Sequence, residues 1–250
     1  MNFKPSDISA LEKIIKIANI ANINSVLVNG SFASGINDTN TCVITSNTSG
    51  IELVEEGEPI KMALNRLDIL QTRINIFKND SYSINGNVRK DKKYNYLLID
   101  FLDIKGKNAK CSFRTASPEA VRGPKGVNAN LVAEFTILKD EFIQIAAASK
   151  SMGEKTMLLA LKRDGTASFE FNDSVKDRFI IDLQTPFTIL SNEDKISVVS
   201  KYFSDLFFAF VKKAGFENPT ATEFSMKISD NGILKFEMND FEITIMPAKE

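Results

Sequence analysis

The 250 residues carry a formal net charge of −1, from 31 basic and 32 acidic side chains, and they include two cysteines and no histidine. A hydrophobic content of 43% with 25% charged residues is typical of a globular protein, and the length allows two domains of about 120 residues each. A DNA-binding protein that relies on phosphate attraction over its whole surface would be basic. This chain therefore either does not bind nucleic acid or confines its cations to one face.

The chain has few side chains suited to catalysis. Without histidine, neither a Ser-His or Cys-His nucleophile nor a histidine-based metal site can form, and two cysteines cannot make a four-ligand zinc site. The glycine-rich run at 30–35 lacks the Lys-Ser/Thr of a phosphate-binding loop. Asp100 and Asp103 lie three apart in a strand-like segment, so they should point to opposite faces. We predict that the protein is not an enzyme and has no cofactor or metal site.

Nothing in the sequence predicts secretion or a membrane span. The N-terminal residues MNFKPSDIS contain no apolar segment of the kind that directs secretion. The longest apolar run, Leu206 to Val211, is far shorter than the ~20 residues that a membrane span needs. Cys42 and Cys111 lie in strand-like runs, where we interpret them as reduced, apolar side chains. We expect a cytoplasmic protein with no membrane partner.

Helical and strand patterns alternate through residues 1–116. Apolar side chains at helical spacing predict a first helix over 7–22 and a second over 63–74. The pair Asn29-Gly30 predicts a hairpin turn. The strands predicted in this half are 25–28, 31–36, 41–46, 51–55, 75–78, 82–84, 95–104 and 109–114.

A connector follows at residues 117–130, which begin with SPEAVRGPKGV. Pro118 and Pro124 each fix φ and lack an N–H donor, while Gly123 and Gly126 leave φ free. This composition breaks any regular element, so we predict an extended, exposed segment between two domains.

The same plan repeats over residues 131–250. Helices are predicted over 139–151 and 202–214, the second rich in Phe and ended by Gly215. A hairpin turn is predicted at 163–165. The strands predicted in this half are 131–137, 156–163, 166–172, 178–182, 195–199, 223–228, 233–238 and 241–246.

Both halves thus consist of a helix, strands, a second helix and more strands. This order predicts an α+β fold used twice. The predicted domains are 1–116 and 131–250, each an antiparallel sheet beside two helices.

Basic side chains lie on or next to every predicted helix. Any one of them is more often part of a solvated helix face, but their recurrence on four helices in two matching halves favours a shared DNA-binding surface. We expect Arg73 and Lys150 to face solvent. The candidate DNA-binding residues are Lys13, Lys16, Arg66, Arg73, Lys150, Lys155, Lys201, Lys212 and Lys213.

Four segments carry a family resemblance: MALNRLDILQTRI, SFRTASPEAVRGPKG, LKDEFIQIAAASKSMGEKTMLLALKRDGTASFEFND and GILKFEMNDFEITIMPAKE. With them, the chain resembles the DNA sliding clamps, in particular those of T-even-type bacteriophages, which are related in fold to proliferating-cell nuclear antigen. The resemblance extends over nearly the whole length. The Phe-rich helix at 202–214 and the total length exceed what this family leads us to expect.

The resemblance implies a homotrimer closed head-to-tail into a ring that encircles duplex DNA without reading its sequence. Helices would line the hole, and their lysines and arginines would meet phosphates, as in sequence-independent binding. The implied partners are the replicative DNA polymerase, an ATP-driven clamp loader and late-transcription factors, in the cytoplasm of the host cell if the chain is viral. Because such a ring holds DNA by topology, a near-neutral charge is expected.

In this family, partners insert a short peptide into an apolar pocket near the connector. The resemblance implies that the pocket lies around Val121, Val127, Leu131, Ile245, Met246 and Pro247. Simple packing between the domains explains the same residues equally well.

Two other functions remain open at this point. A non-enzymatic, β-rich viral assembly or structural protein fits the strand content and the lack of catalytic groups. Scattered cations would favour this function. A hydrolase or transferase without histidine would need paired carboxylates of raised pKa in a cleft.

Overall fold

The computed structural model describes residues 1–48, 50–78, 81–124, 129–153, 155–172, 177–191, 196–214, 220–238 and 240–248. The chain is a mixed α+β protein with 24% helix and 44% strand, so the predicted α+β class is confirmed, and the two-domain clamp arrangement stays a prediction. It divides into two compact units, Met1–Lys125 with Asn239–Glu242 and Gly126–Met238 with Ile243–Glu250. The domain boundaries given above stay a prediction.

The first unit contains two helices and eight strands among the described residues. The helices are α1 (Pro5–Ile20) and α2 (Leu67–Phe77). The strands are β1 (Ser25–Asn29), β2 (Phe32–Ile36), β3 (Cys42–Ser46), β4 (Val54–Glu55), β5 (Glu58–Asn65), β6 (Ser83–Lys90), β7 (Leu97–Lys105) and β8 (Lys110–Arg114).

The sheet of the first unit has the order β3-β2-β1-β5-β7-β6, with β4 beside β5 and β8 beside β7. The predicted hairpin at Asn29-Gly30 joins β1 to β2, and Gly30 has the positive φ of 60° that this tight turn uses. The prediction of a purely antiparallel sheet is wrong, because β5 and β7 run parallel, with Ile60 beside Leu97. Helix α2 and strand β6 supply the crossover that parallel neighbours need.

Helix α1 buries one apolar face against its unit. Leu11, Ile14, Ile15 and Ala18 are fully buried at the spacing of a helical stripe. Asp7 caps the first turn of the helix, because its carboxylate accepts the Lys4 N–H at 2.7 Å. The helix begins and ends two residues earlier than predicted.

The second predicted helix begins too early in the sequence. Residues 63–65 are the end of β5, and the helix starts at Leu67 after Arg66, which has a positive φ of 48°. Leu64 accounts for the early start that we predict for this helix. Its position fits the apolar stripe of the helix, but it also continues the alternation of Ile60 and Met62, which are buried on β5. The strand predicted at 75–78 is also wrong, since residues 75–77 belong to the last turn of α2 and Lys78 follows it.

The second unit contains two helices, α3 (Lys139–Met152) and α4 (Ser204–Ala214), within the described ranges. Its strands are β9 (Leu131–Leu138), β10 (Thr156–Leu161), β11 (Ala167–Asn172), β12 (Arg178–Asp182), β13 (Thr188–Ile189), β14 (Val198–Phe203), β15 (Glu223–Ser229) and β16 (Leu234–Met238). The last strand, β17 (Phe241–Ile245), has residues in both units.

Two strand sets build the second unit. One is a four-stranded sheet in the order β12-β11-β10-β14, and the other runs β13-β9-β15-β16. Helix α4 packs on the first set, where the Phe207 and Phe169 rings lie 5.4 Å apart. The first turn of helix α3 contains buried Glu141. Its carboxylate accepts the N–H of Leu138 and, from the segment after β12, the N–H of Gln184, each at 2.7 Å.

Three further predictions need correction. The fourth helix begins at Ser204 instead of residue 202, because Tyr202 is a fully buried residue of β14. The strand predicted at 195–199 lies at 198–203, and residue 195 and Gly215 are outside the described residues. The connector is not simply extended and exposed: Pro118–Ala120 form a 3-10 turn, and Pro118 and Val121 are buried.

Strand pairing follows the same scheme in the two units. In the first unit, β1 pairs with β2 and β5, and β2 pairs with β3. In the second, β10 pairs with β11 and β14, and β11 pairs with β12. The chain ahead of the first helix of each unit also meets the strand after the second helix, since the Phe3 N–H donates to Ile84 on β6 and β9 pairs with β15.

Candidate nucleic-acid interface

A shallow groove of about 380 Å³ lies between α1 and α2 of the first unit. Exposed Lys13 and Lys16 lie three residues apart on α1, so they project to the same side of that helix. Lys78, just past the end of α2, adds a third cation. The remaining lining residues are Ser9, Glu12, Gln71 and Asn75. Three cations and several neutral polar groups against one carboxylate suit an anionic ligand such as a phosphate.

Glu12 is the acidic member of this groove, and it is already engaged. It accepts a hydrogen bond from the Tyr82 hydroxyl at 3.0 Å and lies 3.9 Å from the Lys78 ammonium. Burial and the hydrogen bond to negatively charged Glu12 raise the pKa of Tyr82 to about 12. Tyr82 therefore remains a hydrogen-bond donor at neutral pH and helps to offset the charge of Glu12.

Arg66 and Arg73 bind the backbone of strand β8. Arg66 donates to the Arg114 carbonyl at 2.8 Å, and Arg73 donates to the Ser112 carbonyl at 3.3 Å. The two guanidinium groups approach the Phe113 ring at 4.8 and 5.5 Å. Both arginines had been predicted on one helix, but Arg66 precedes it. Each guanidinium has five N–H donors, so these contacts leave others able to meet a phosphate.

The cations of the second unit occupy two different settings. Lys150 lies in the last turn of α3, and Lys212 and Lys213 lie in the last turn of α4, where a positive charge also complements the helix dipole. Lys155 is exposed just before β10. This clustering at helix ends fits both a DNA surface and ordinary helix stabilisation.

Lys201 does not adjoin the fourth helix as predicted. It lies in β14, where its neighbour Tyr202 is buried. Because successive side chains on a strand point to opposite faces, Lys201 projects away from the face that holds Tyr202. The second unit therefore does not bring Lys201 together with Lys212 and Lys213 on a single helix.

The residues predicted for a partner-peptide pocket differ in exposure. Val121 and Ile245 are buried, and Leu131, Met246 and Pro247 are half-buried. Val127 lies outside the described residues. Their role as a pocket stays a prediction.

Pro247 lines a groove of about 550 Å³ in the second unit. Val199, which is 64% exposed, and Leu158 supply apolar surface there, and Lys201 and Glu170 supply charge. The Ala248 N–H donates to the Lys201 carbonyl at 2.7 Å, which holds the C-terminal segment beside β14. Sequence patterns gave no signal for this groove, since its members come from five separate segments.

Lys78 and Gln71 were also missed by the sequence analysis. Residues 75–78 had been predicted as a strand, which hid the seven-residue spacing that places Gln71 and Lys78 on one side of α2. A helix continued through Lys78, which keeps helical backbone angles, would have revealed both.

A scan against protein-family models finds no match for this chain, and a search of curated proteins finds no relative. Across the part of the chain that the structure describes, no helix has both the length and the apolar character needed to cross a membrane. Within those same ranges, no group of three or more Cys, Asp or Glu side chains is arranged to hold a metal ion.

Proposed function

We propose that this chain is a subunit of a DNA sliding clamp, a ring that encircles duplex DNA and tethers the replicative polymerase. The observation that carries the proposal is the strand-pairing scheme that recurs in two units, each with two helices. A closed ring is assembled from equivalent parts, and a duplicated chain supplies two of them per subunit. The segments that resemble the phage clamps support the same function.

The distribution of charge supports a sliding role. The chain has a net charge of −1, yet exposed lysines line the groove between α1 and α2 and the last turns of α3 and α4. Weak contacts with phosphates keep DNA centred without fixing its position, whereas many tight contacts would stop movement. Retention then depends on closure of the ring.

Assembly of the ring would use an exposed strand edge. Among the described strands, β12 is an end strand of its sheet, and its Phe179 and Ile180 are 46% and 41% exposed. An end strand with exposed apolar side chains is suited to pair with a strand of another copy. We propose three copies in a head-to-tail arrangement.

The groove at Pro247 is the proposed contact for partner peptides. It combines exposed apolar surface at Val199 with the charged groups of Lys201 and Glu170. An extended peptide from the polymerase or from the ATP-driven loader could lay an apolar residue into it. Late-transcription factors would use the same groove.

Two measurements test the clamp. Light scattering over a concentration series should give a mass approaching three times 27.8 kDa. With a clamp loader and ATP, the protein should lengthen the products of a replicative polymerase on primed circular DNA. A monomer at every concentration, together with unchanged product length, would contradict the proposal.

A strand-rich assembly protein is the second candidate. The strand content of 44% and the exposed edge of β12 favour it, since both serve chain association without DNA. An assembly that forms at low protein concentration, grows without a fixed size and ignores primed DNA would support this function. A closed trimer that needs the loader to act would support the clamp.

A further inference from the structure

The turn between β6 and β7 carries an exposed cluster of basic and aromatic side chains. We name Lys90–Tyr96, with the sequence KDKKYNY, the tyrosine turn. The side chains of Lys90, Lys92 and Lys93 are exposed, and Tyr94 is 47% exposed. The turn contains three lysines against one aspartate, so it is locally basic in a chain of near-neutral charge.

The backbone of the tyrosine turn is held in one conformation. The Asp91 carboxylate accepts the N–H groups of Lys93 and Tyr94 at 2.8 and 2.9 Å. The Asp91 N–H donates to the Tyr96 carbonyl at 2.8 Å, and the Asn95 N–H donates to the Asp91 carbonyl at 3.0 Å. These four hydrogen bonds within seven residues limit the conformational freedom of the turn. Binding of a ligand therefore costs less conformational entropy than it would in a flexible loop.

The two aromatic rings form a stack with a fixed inner member. Tyr94 and Tyr96 are nearly parallel, with an interplanar angle of 7° and centroids 5.9 Å apart. Tyr96 donates its hydroxyl hydrogen to Glu119, and the Lys61 ammonium lies 3.9 Å from the centre of its ring. Ser117 also donates to Glu119. Tyr96 is thereby held in place by Glu119, by Lys61 and by the stacked ring of Tyr94. Tyr94 extends the stack towards solvent.

Lys93 contacts the outer ring of the stack, that of Tyr94. Its ammonium lies 4.7 Å from the centre of the Tyr94 ring. An exposed cation–π contact of this kind is weaker than stacking of a nucleobase on an aromatic ring. A base could therefore replace Lys93 on Tyr94, and the released ammonium would meet the adjoining phosphate.

We infer that the tyrosine turn binds a single-stranded polynucleotide, with a base stacked on Tyr94 and phosphates held by Lys90, Lys92 and Lys93. Exposed aromatic rings combined with lysines are the composition that binds single strands without reading their sequence. Duplex DNA fits the turn poorly, because its bases are already stacked within the helix. This site is independent of the proposed ring, since it lies within one unit and needs no second copy.

Fluorescence anisotropy with a labelled oligothymidylate of about 16 nucleotides tests the inference on the full chain. An abasic strand of equal length measures phosphate attraction alone. Tyr94→Ala should weaken binding of the oligothymidylate roughly tenfold and leave binding of the abasic strand unchanged. Tyr94→Phe keeps the ring and should bind normally. The double variant Lys92→Ala, Lys93→Ala should weaken both probes and reduce the salt dependence of binding.

Matched controls separate this site from general charge. Lys107→Ala removes an exposed lysine from the β7–β8 turn of the same unit and should leave binding unchanged. An oligouridylate distinguishes RNA from DNA; binding of either strand supports the inference, and the tighter one identifies the source. Thermal melting of each variant verifies folding, and if Tyr94→Ala unfolds, the lysine variants and Tyr94→Phe still decide.

Three results would overturn the inference. Equal affinity for the abasic strand and the oligothymidylate would exclude stacking. Equal competition by a duplex or by a polyglutamate peptide would reduce the turn to a non-selective basic patch. A loss of affinity in Lys107→Ala as large as in the double lysine variant would place binding elsewhere.

Discussion

The guanidinium carbon of Arg66 lies 4.8 Å from the centre of the Phe113 ring. Arg73 approaches the same ring, and the two arginines donate to carbonyls on either side of Phe113. Phe113 is fully buried, so these contacts close over a core residue of β8. The arginines therefore stabilise the fold independently of the proposed DNA binding.

Charge reversal at Arg73 should destabilise the protein, contrary to the expectation that this residue only faces solvent. Arg73→Glu removes a hydrogen bond and a cation–π contact, and we expect a decrease of about 1–2 kcal/mol in the free energy of unfolding. The matched variant Lys107→Glu, at an exposed position in the β7–β8 turn, should change it by less than about 0.5 kcal/mol. Urea denaturation measures both, and equal effects would contradict the structural role of Arg73.

Lys13 should contribute to DNA binding without affecting stability. It is exposed beside the groove between α1 and α2, so Lys13→Glu should lower loader-dependent retention on circular DNA roughly three- to tenfold. Lys107→Glu changes the net charge equally and should retain DNA normally. The measurement is the fraction of protein that remains with the DNA after gel filtration. If the two variants behave alike, net charge rather than the groove governs retention.

Gly232 should tolerate a side chain far less well than Gly153. Both have positive φ, 78° and 68°, but a Cβ at Gly232 would lie 1.8 Å from the Ser200 Oγ and 2.6 Å from its Cβ, whereas the space at Gly153 is open. We expect Gly232→Ala to cost about 3 kcal/mol and Gly153→Ala about 1 kcal/mol. Chemical denaturation compares them. Ser200→Gly should restore part of the loss at Gly232, and no restoration would mean that the clash is not the cause.

Alkaline pH should weaken the contact between α1 and Tyr82. Because burial and Glu12 raise the pKa of Tyr82 from 10.0 to about 12, the folded state holds the phenol proton more tightly than the unfolded state. This contribution is complete below pH 10 and is lost as the pH rises towards 12. Tyr82→Phe and Glu12→Gln should each reduce the loss of stability across that range, as measured by urea unfolding at several pH values. A loss equal to that of the unmodified protein would contradict this origin.

Local sequence patterns correctly predicted the elements whose apolar residues follow one clear spacing, either that of a strand or that of a helix. Strand β9 and helix α3 are adjacent in the sequence, and the ends of both lie within one residue of the predicted ends. The boundary could be predicted because the alternation of apolar residues changes to helical spacing at Lys139. The hairpin at Asn29-Gly30 depends only on its own turn residues.

Other elements depend on packing that no local pattern contains. Tyr202 suits a helix rich in Phe, but its ring is buried and its hydroxyl donates to the Gly232 carbonyl, which keeps it in β14. The parallel pairing of β5 with β7 joins segments that are distant in sequence. Pairings of this kind are decided by the whole sheet.

The candidate sites divide in the same way. Lys13 and Lys16 could be placed on one helix side from their spacing alone. The binding of Arg66 and Arg73 to β8, and the stacking of Tyr94 on Tyr96 beside Lys61, bring together residues from separate elements. Only the folded chain reveals those groups.

The Glu141 carboxylate has a consequence for motion in the second unit. Its two oxygens bind the backbone N–H of Leu138 and of Gln184, which is 43 residues further along the chain than Glu141. Breaking either bond leaves a buried negative charge with only one of these two hydrogen bonds, which raises the free energy of any state in which one segment has opened and the other has not. We therefore expect the start of α3 and the segment after β12 to open together, as one cooperative unit.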